Sequence, residues 1–380
     1  MSSKRARPDS VTSHDVARVA GVSQSTVSRV LRQDPRVRAQ TRDRVLRALT
    51  QTRYEPNAAA QAFRTSRSGA IGVVVARLSY ALFPSMLEAI SAELARLGRR
   101  MIVWDAEHGG DLQASRALRR GIVDGVILTA ATPDSEFLRD TASPNAPVVL
   151  LNRTVDGYPS DQVSSDNYGG GREVAAYLLG HARKRIALIS GASRASTILH
   201  RERGFRDALA AAGAPLSPRY LQQVSSFSDA GHARGEQAAV RLLELGEPPD
   251  AIFCVNDILA LGAIDAARSR GVRVPQDLWV IGYDDIEMAS WAAFDLTTVR
   301  QPMPQMIDHA VARLLARIDD RQLPIEHRRF PNELVIRGST GRSGVPDSAA
   351  AAGQPRQLSP RDPPRGRDRH APSPPSDPHR

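Results

Sequence analysis

The chain has 380 residues, with 51 Lys and Arg against 41 Asp and Glu, and 41% of its residues are hydrophobic. This length allows two or three domains with their own cores. The single cysteine, Cys254, excludes an internal disulfide framework and argues against a cysteine-based metal cluster. There is no run of 18 apolar residues, and residues 1–10 lack the apolar part of a secretory signal. We therefore expect a cytoplasmic protein without membrane spans.

The positive charge is concentrated at the N-terminal end of the chain. Residues 1–67 contain 14 Lys and Arg against 5 Asp and Glu, whereas residues 68–341 are slightly acidic. A small basic head on a near-neutral body is typical of a module that binds a polyanion. A solvated basic tail would have the same composition, so charge alone leaves both interpretations open.

Residues 11–56 predict a small all-α domain that follows a basic N-terminal arm, residues 1–10. A first helix over 11–20 has Thr12 as its cap and an acidic residue three positions later. Gly21 and Val22 form a tight turn, a second helix follows over 24–32, and a third covers about 39–53. Two short helices joined by a glycine turn are typical of a helix-turn-helix, whose second helix enters the major groove.

Residues 70–341 alternate short apolar runs with amphipathic stretches. The predicted strands are Ile71–Ala76, Met101–Trp104, Gly125–Leu128, Val148–Leu151, Ile186–Ile189, Ala251–Val255 and Trp279–Ile281. The predicted helices between them are Pro84–Leu97, Gly170–Leu179, Glu202–Ala212, Gly231–Leu245 and Ile258–Ser269. Repeated strand–helix units over this length predict an α/β body of two doubly wound parallel-sheet subdomains, with a ligand cleft at the carboxyl ends of the strands.

The C-terminal residues 342–380 have a different composition. They contain nine prolines, no aromatic residue and only two large aliphatic residues, Val345 and Leu358. Such a segment buries too little apolar surface to offset its ordering entropy, so we predict a disordered Pro/Arg-rich tail.

The segment from Val11 to Val30 reads VTSHDVARVAGVSQSTVSRV. It resembles the DNA-binding head of the lactose/galactose repressor (LacI/GalR) family of transcriptional regulators. The matches continue in order to about residue 341, through Tyr54–Phe63, Asn152-Arg153, Asp166-Asn167, Arg203–Phe205, Asn256-Asp257, Gly282–Asp285 and Leu296–Gln301. The resemblance implies a body similar to type I periplasmic binding proteins.

The second helix carries the predicted base-reading residues. Gln24, Ser25 and Arg29 lie on its exposed side; glutamine suits adenine, arginine suits guanine and serine suits either. The resemblance assigns base reading to these three positions. The other predicted DNA contacts are Ser23, Thr26 and Ser28, which suit phosphates, together with Thr12, Tyr54 and Asn57. An ordinary polar helix face remains the alternative.

Residues 57–69 are predicted to form a hinge helix and linker. A helix this short is unstable alone in water, so it should order only against DNA and a second copy of the chain. By resemblance, Ala60 and Phe63 enter the minor groove; the family has leucine where this chain has Phe63. Apolar wedges of both kinds kink DNA. Packing of Phe63 against the body is the alternative.

Four polar residues of the body, Asn152, Arg201, Asn256 and Asp284, follow strands or begin helices at the predicted cleft. With aromatic faces at Phe83 and Phe227, they suit a polyhydroxylated ligand. By resemblance, these four positions contact a small effector. Helix capping is the alternative, above all for Asp257 and Asp285.

The resemblance also implies that the chain crosses between subdomains three times. The implied subdomains are about 70–165 with 296–325, and 166–295 with 326–341. Because the tail has no leucine heptad, the resemblance favours a homodimer over a tetramer.

Other chemistry lacks a sequence signal. There is no phosphate loop with lysine, no nucleophile elbow and no histidine pair at zinc-ligand spacing, so we predict no catalytic residue, no metal and no cofactor. The rival functions are a secreted sugar receptor, a sugar-modifying enzyme with Asp284 or Asp257 as base, and a sequence-independent architectural DNA protein. The preferred function is a repressor that binds a pseudo-palindromic operator as a homodimer and responds to a small, sugar-like effector.

Overall fold

The structure, a computed structural model, describes residues 11–31, 34–54, 67–76, 78, 80–141, 143, 145–191, 194–224 and 231–341. The predicted arm 1–10, most of the hinge segment 57–69 and the tail 342–380 lie outside these residues. So do the predicted site residues Asn57, Ala60, Phe63 and Phe227.

The N-terminal domain consists of helices α1 (Ser13–Ala20), α2 (Gln24–Leu31) and α3 (Ala39–Thr52). Thr12 and Asp15 form a capping box at the start of α1, and Gly21 ends the helix with φ of 63°, a conformation that favours glycine. The small core of this domain consists of Val16, Ala17, Ala20, Val27, Val30, Val45 and Ala48. The predicted helix-turn-helix is confirmed.

The body contains 12 strands and eight α-helices within the described residues. Its first part consists of β1 (Ala70–Val75), α4 (Leu82–Arg96), β2 (Arg100–Asp105), α5 (Gly110–Arg119), β3 (Gly125–Leu128), α6 (Glu136–Asp140), β4 (Val148–Leu151) and β5 (Asp161–Ser165). The next part consists of α7 (Asn167–Gly180), β6 (Ile186–Gly191), α8 (Ser196–Ala211), β7 (Leu221–Val224), α9 (Gly231–Leu243), β8 (Ala251–Cys254), α10 (Asp257–Ser269) and β9 (Trp279–Ile281). The last elements are β10 (Thr298–Arg300), α11 (Met303–Asp319), β11 (His327–Phe330) and β12 (Glu333–Val335).

Two parallel sheets organise the body. The six-stranded sheet has the order β11-β5-β4-β3-β1-β2, and the four-stranded sheet has the order β7-β6-β8-β9. We call the first sheet with its helices the first lobe, and the second sheet with its helices the second lobe. Separate apolar clusters pack on the two faces of the first sheet, which makes that lobe doubly wound. The predicted fold class, with a parallel-sheet body of two subdomains, is confirmed.

The boundaries between the lobes differ from the implied ones. Leu296 and Val299 belong to the core of the second lobe, although the resemblance placed them in the first. Conversely, β11 pairs in parallel with β5 and therefore belongs to the first sheet. The resemblance implies instead that residues 326–341 belong to the second lobe. The chain thus crosses near Ser165, near Gln301 and again between β11 and β12. These pairings join residues far apart in sequence, so no local pattern reveals them.

No helix among the described residues is both long and apolar enough to span a membrane.

Candidate nucleic-acid interface and ligand cleft

The predicted base-reading residues of α2 differ in their exposure to solvent. Ser25 and Arg29 are exposed, and Gln24 is half-buried with its Nε2 3.3 Å from Ser13 Oγ. Ser23 directly precedes this helix and caps it, because its Oγ accepts a hydrogen bond from the Thr26 backbone N–H at 3.2 Å. The accessible face therefore contains the three residues whose donors and acceptors suit base edges.

The remaining predicted DNA contacts are placed unevenly. Thr12 and Ser23 are exposed, while Thr26 and Tyr54 are partly buried. Ser28 is only 9% exposed and lies on the side of α2 that faces the head core. A phosphate contact by Ser28 is therefore not supported, because little of its surface is accessible.

The polar residues predicted in the cleft lie at carboxyl ends of strands, as the topology requires. Asn152 directly follows β4, Asn256 follows β8 and Asp284 follows β9, while Arg201 projects from α8. All four are buried, with exposed fractions of 2% to 7%. These four side chains are thus gathered where the two lobes meet.

A buried ion pair forms the centre of this region. Arg201 Nη2 lies 2.8 Å from Asp284 Oδ1, and the guanidinium also donates to Asn167 Oδ1 and to the Val255 carbonyl, both at 2.8 Å. Its Cζ atom lies 3.6 Å from the ring centroid of Tyr283. Burial by itself lowers the pKa of Arg201, but the adjacent Asp284 carboxylate raises it overall, so Arg201 stays protonated.

Close helix packing positions Arg201. A Cβ at Gly204 of α8 would meet the Tyr168 carbonyl oxygen at 2.0 Å, and one at Gly171 of α7 would meet the Arg201 carbonyl oxygen at 2.2 Å. Only glycine allows the two backbones to approach this closely. The approach brings Asn167 within hydrogen-bond distance of Arg201 and fixes the direction of the guanidinium.

Two residues that sequence reasoning did not assign to the site complete the contacts of Asp284. The Tyr80 hydroxyl donates to Asp284 Oδ2 at 2.9 Å, and Gln301 Nε2 donates to Asp284 Oδ1 at 2.8 Å. Burial, followed by the Asp284 charge, raises the pKa of Tyr80 well above its usual value, so Tyr80 remains a proton donor. Tyr80 lies in the loop that follows β1, and a search for polar residues after every strand would have found it.

Asn152 and Arg153, which follow β4, each have a buried polar side-chain atom without a hydrogen-bond partner. Asn152 has φ of 74°, in the left-handed region, and its Oδ1 is buried without a hydrogen-bond partner. The Nε of Arg153 is likewise buried and unpartnered. Burial lowers the pKa of Arg153 to about 10. We call the group Tyr80, Asn152, Arg153, Arg201 and Asp284 the interlobe site.

Phe83 and Asn256, two predicted effector contacts, have structural roles. Phe83 is 3% exposed within the apolar core of the first lobe, and its ring lies 5.7 Å from that of Tyr80. Phe83 therefore supports Tyr80 and is not supported as a ligand contact. Asn256 caps α10, since its Oδ1 accepts from the Leu259 N–H at 2.9 Å, which leaves only its Nδ2 group for a ligand.

Asp257 is a buried structural carboxyl group. Its oxygens accept from Thr298 Oγ1 at 2.6 Å and from the Ile286 N–H at 2.9 Å. Burial and then the nearby Asp284 charge raise the pKa of Asp257 well above its usual value. Within the described residues, no group of three or more His, Cys, Asp and Glu side chains could hold a metal ion.

The comparisons with known proteins agree with this architecture. Residues 12–57 match the family described as bacterial regulatory proteins, lacI family, and residues 175–340 match a periplasmic binding protein-like domain. The HTH-type transcriptional regulator DegA of Bacillus subtilis (strain 168) is 32% identical over 336 residues, which cover 87% of this chain and 98% of DegA. The HTH-type transcriptional repressor PurR of Pasteurella multocida (strain Pm70) is 30% identical, over 86% of this chain and 98% of PurR.

Two solved structures extend the likeness to three dimensions. The lac repressor dimer bound to operator and the anti-inducer ONPF aligns with a TM-score of 0.78 at 29% identity, over 88% of this chain and 100% of that chain. The transcriptional regulator CelR–cellobiose complex aligns with a TM-score of 0.66 at 28% identity, over 87% and 99%. The head and the two-lobed body thus define a DNA-binding regulator with a ligand-binding core.

The chain belongs to the lacI family of bacterial regulatory proteins. It is a transcriptional regulator and not an enzyme.

Proposed function

We propose that this protein is a cytoplasmic repressor that binds a pseudo-palindromic operator as a homodimer and is controlled by a small, hydroxylated effector. The observation that carries the proposal is the accessible face of α2 in a helix-turn-helix, with Gln24, Ser25 and Arg29 available to base edges. Thr12, Ser23, Thr26 and Tyr54 would position the head on phosphates. By resemblance, Asn57, Ala60 and Phe63 would complete the contacts from the hinge.

The interlobe site supports control by a ligand. It combines two guanidiniums, a carboxylate, an amide and a phenol, which can donate to and accept from vicinal hydroxyl groups. The solved relative CelR binds cellobiose, a sugar. A sugar-like effector is therefore the ligand class that both the side chains and the relative favour.

A hydrogen-bonded path joins the interlobe site to the crossings between the lobes. Gln301 donates to Asp284, and its Oε1 accepts from Ser165 Oγ at 2.7 Å. Ser165 and Gln301 lie at two of the three crossings. A ligand that moves Asp284 would thereby change the angle between the lobes, and effector and operator would alter each other's affinity by the same factor.

Selection of binding sites from random DNA duplexes tests the proposal. We expect recovery of a pseudo-palindromic sequence. The Arg29→Ala variant should lose about 1–3 kcal/mol of discrimination at one position of each half-site, because a bidentate arginine–guanine contact is worth that much. Equal affinity of the wild type for selected and scrambled duplexes at moderate salt would reject sequence-specific binding.

Arg47→Ala is the matched control for this experiment. Arg47 is an exposed arginine of α3, outside the base-reading helix α2. Its loss should weaken binding to all duplexes alike or not at all. A uniform loss in Arg29→Ala would show that Arg29 contacts phosphate only.

A further inference from the structure

Arg153 is partly buried, and its guanidinium has no anionic partner among the described residues. Its Nη1 donates to the Ala130 carbonyl at 3.2 Å, while its Nε is buried and unpartnered. No carboxylate oxygen of the described residues lies within 4 Å of it. Because Nη1 is occupied, the edge formed by Nε and Nη2 remains, and this edge binds a carboxylate or phosphate through two parallel hydrogen bonds.

The acidic residues nearby do not compensate this cation. Asp284 is the neighbouring carboxylate, and its two oxygens already accept from Arg201, Gln301 and Tyr80. Asp257, a second buried carboxyl group near Asp284, accepts hydrogen bonds from Thr298 and Ile286. Burial raises the pKa of Asp257, which favours its neutral form. The interlobe site therefore holds two guanidiniums and one carboxylate that is already paired, which leaves one positive charge in excess.

An uncompensated charge in a buried site is unfavourable unless a ligand supplies the counter-charge. Burial of an unpaired ion carries a large desolvation cost. Arg153 follows Asn152 at the end of β4, and the Nη1 bond to the Ala130 carbonyl places its guanidinium at the carboxyl edge of the first sheet. The adjacent Asn152 Oδ1 is an unpartnered acceptor, so it requires a donor such as a hydroxyl group.

We propose that the effector is a hydroxylated small molecule with one carboxylate or phosphate group, a sugar acid or a sugar phosphate, and that Arg153 binds its anionic group. This inference rests on the proposed regulatory function and specifies the ligand class of the same site. Asn152 and Asp284 bind the hydroxylated part, while Arg153 discriminates against neutral sugars.

Titration calorimetry of the full chain with matched sugars tests this assignment. The panel pairs glucose with glucuronate and glucose 6-phosphate, galactose with galacturonate, and ribose with ribose 5-phosphate. We expect at least one anionic member to bind more than about 10-fold more tightly than its neutral partner, because hydrogen bonds between ions are roughly twice as strong as neutral ones. The uronate and phosphate arms distinguish the two anionic groups.

Variants of Arg153 separate ligand recognition from a structural role. Arg153→Met should remove the preference for the anionic sugar, and Arg153→Lys should retain part of it. Arg206→Met is the control, since Arg206 pairs with Glu202 on the surface of α8. A neutral sugar that binds as tightly as its anionic partner, anionic sugars that do not bind, or selectivity that survives in Arg153→Met would each overturn the proposal.

The DNA-binding assay distinguishes this failure from failure of the proposed function. If the same preparation selects a specific operator but does not prefer anionic sugars, only the ligand class is wrong. If it shows no sequence preference on DNA, the regulatory function itself is wrong.

Discussion

Asp284 binds three side chains that come from distant parts of the chain. It pairs with Arg201, accepts from Gln301 and Tyr80, and has φ of 109°. The sequence indicated Asp284 as a ligand residue because it follows a predicted strand. It did not indicate Tyr80, whose role depends on a contact across 204 positions of the chain.

Replacement of Asp284 should uncouple ligand from DNA. Asp284→Asn keeps the shape of the side chain but removes the charge that compensates Arg201. We expect effector affinity to fall more than about 10-fold, since one partner of a buried ion pair is lost, while operator affinity stays within about threefold. Operator titrations with and without the bound sugar measure both quantities.

Asp285→Asn is the control for this substitution. Asp285 is the next residue and pairs with Arg300 and Arg337 rather than with the interlobe site. It should lower stability without altering the response to the sugar. A normal response in Asp284→Asn would contradict the assignment of Asp284 to the ligand.

At the scale of elements, an ion-pair network attaches α11 to the first sheet. Asp161, the first residue of β5, contacts Arg317 Nε at 2.5 Å and Arg313 Nε at 2.9 Å, and it also accepts from the Glu326 N–H at 2.8 Å. The side chains of Asp161 and Arg317 are each 1% exposed. β5 was not predicted, because its residues DQVSS contain no apolar run even though all five are buried. α11 was not predicted either.

Asp161→Asn should destabilise the body strongly. The change leaves Arg317 buried without its counter-charge, which costs about 3–5 kcal/mol. Urea unfolding followed by circular dichroism measures the loss. Asp277→Asn is the control, since its partner Arg273 is exposed on the surface, and it should have little effect.

The same carboxylate should contribute to acid sensitivity. Burial acts to raise the pKa of Asp161, but hydrogen bonds from Arg317 and its neighbours lower it overall. A lowered pKa in the folded state gives stability that is present above the unfolded value of about 4 and is lost as pH falls through the folded value. Asp161→Asn should therefore lose less stability than the wild type on acidification below about pH 4; equal losses would contradict this contribution.

At the scale of the whole molecule, three contacts join the lobes near the interlobe site. Tyr80 donates to Asp284, Arg194 pairs with Asp134 at 3.0 Å, and the Thr154 backbone N–H donates to Ser196 Oγ at 2.8 Å. The Arg194 pair is exposed and contributes little, whereas the Tyr80 bond is partly buried and ends on the buried carboxyl group of Asp284. We infer that Tyr80 contributes most of the closure energy among the three.

Tyr80→Phe should allow the lobes to separate more often. The Thr154 amide reports this opening because its hydrogen bond crosses between the lobes. We expect the hydrogen exchange of this amide to accelerate about 10-fold. The Val126 amide donates to the Pro147 carbonyl within the first lobe, so its exchange should not change. Mass spectrometry after amide exchange measures both sites.

Tyr177→Phe provides the matched control. The Tyr177 hydroxyl bonds to Thr340 Oγ1 at 3.1 Å within the second lobe. Its loss should leave the Thr154 amide protected. Similar acceleration in both variants would mean that Tyr80 has no special part in closure.

The sequence alone predicts the head, the alternation of strands and helices, and three residues of the interlobe site: Asn152, Arg201 and Asp284. These features depend on local patterns: a capping box, a glycine turn, apolar runs and polar residues that follow strands. The folded structure adds the positions of the three crossings, the edge strand β11, the contact of Tyr80 with Asp284, the burial of Ser28 and the lack of an anionic partner for Arg153 among the described residues. Each of these depends on a partner that is distant in the chain, and a local pattern contains no information about which distant residue supplies a hydrogen bond or a counter-charge.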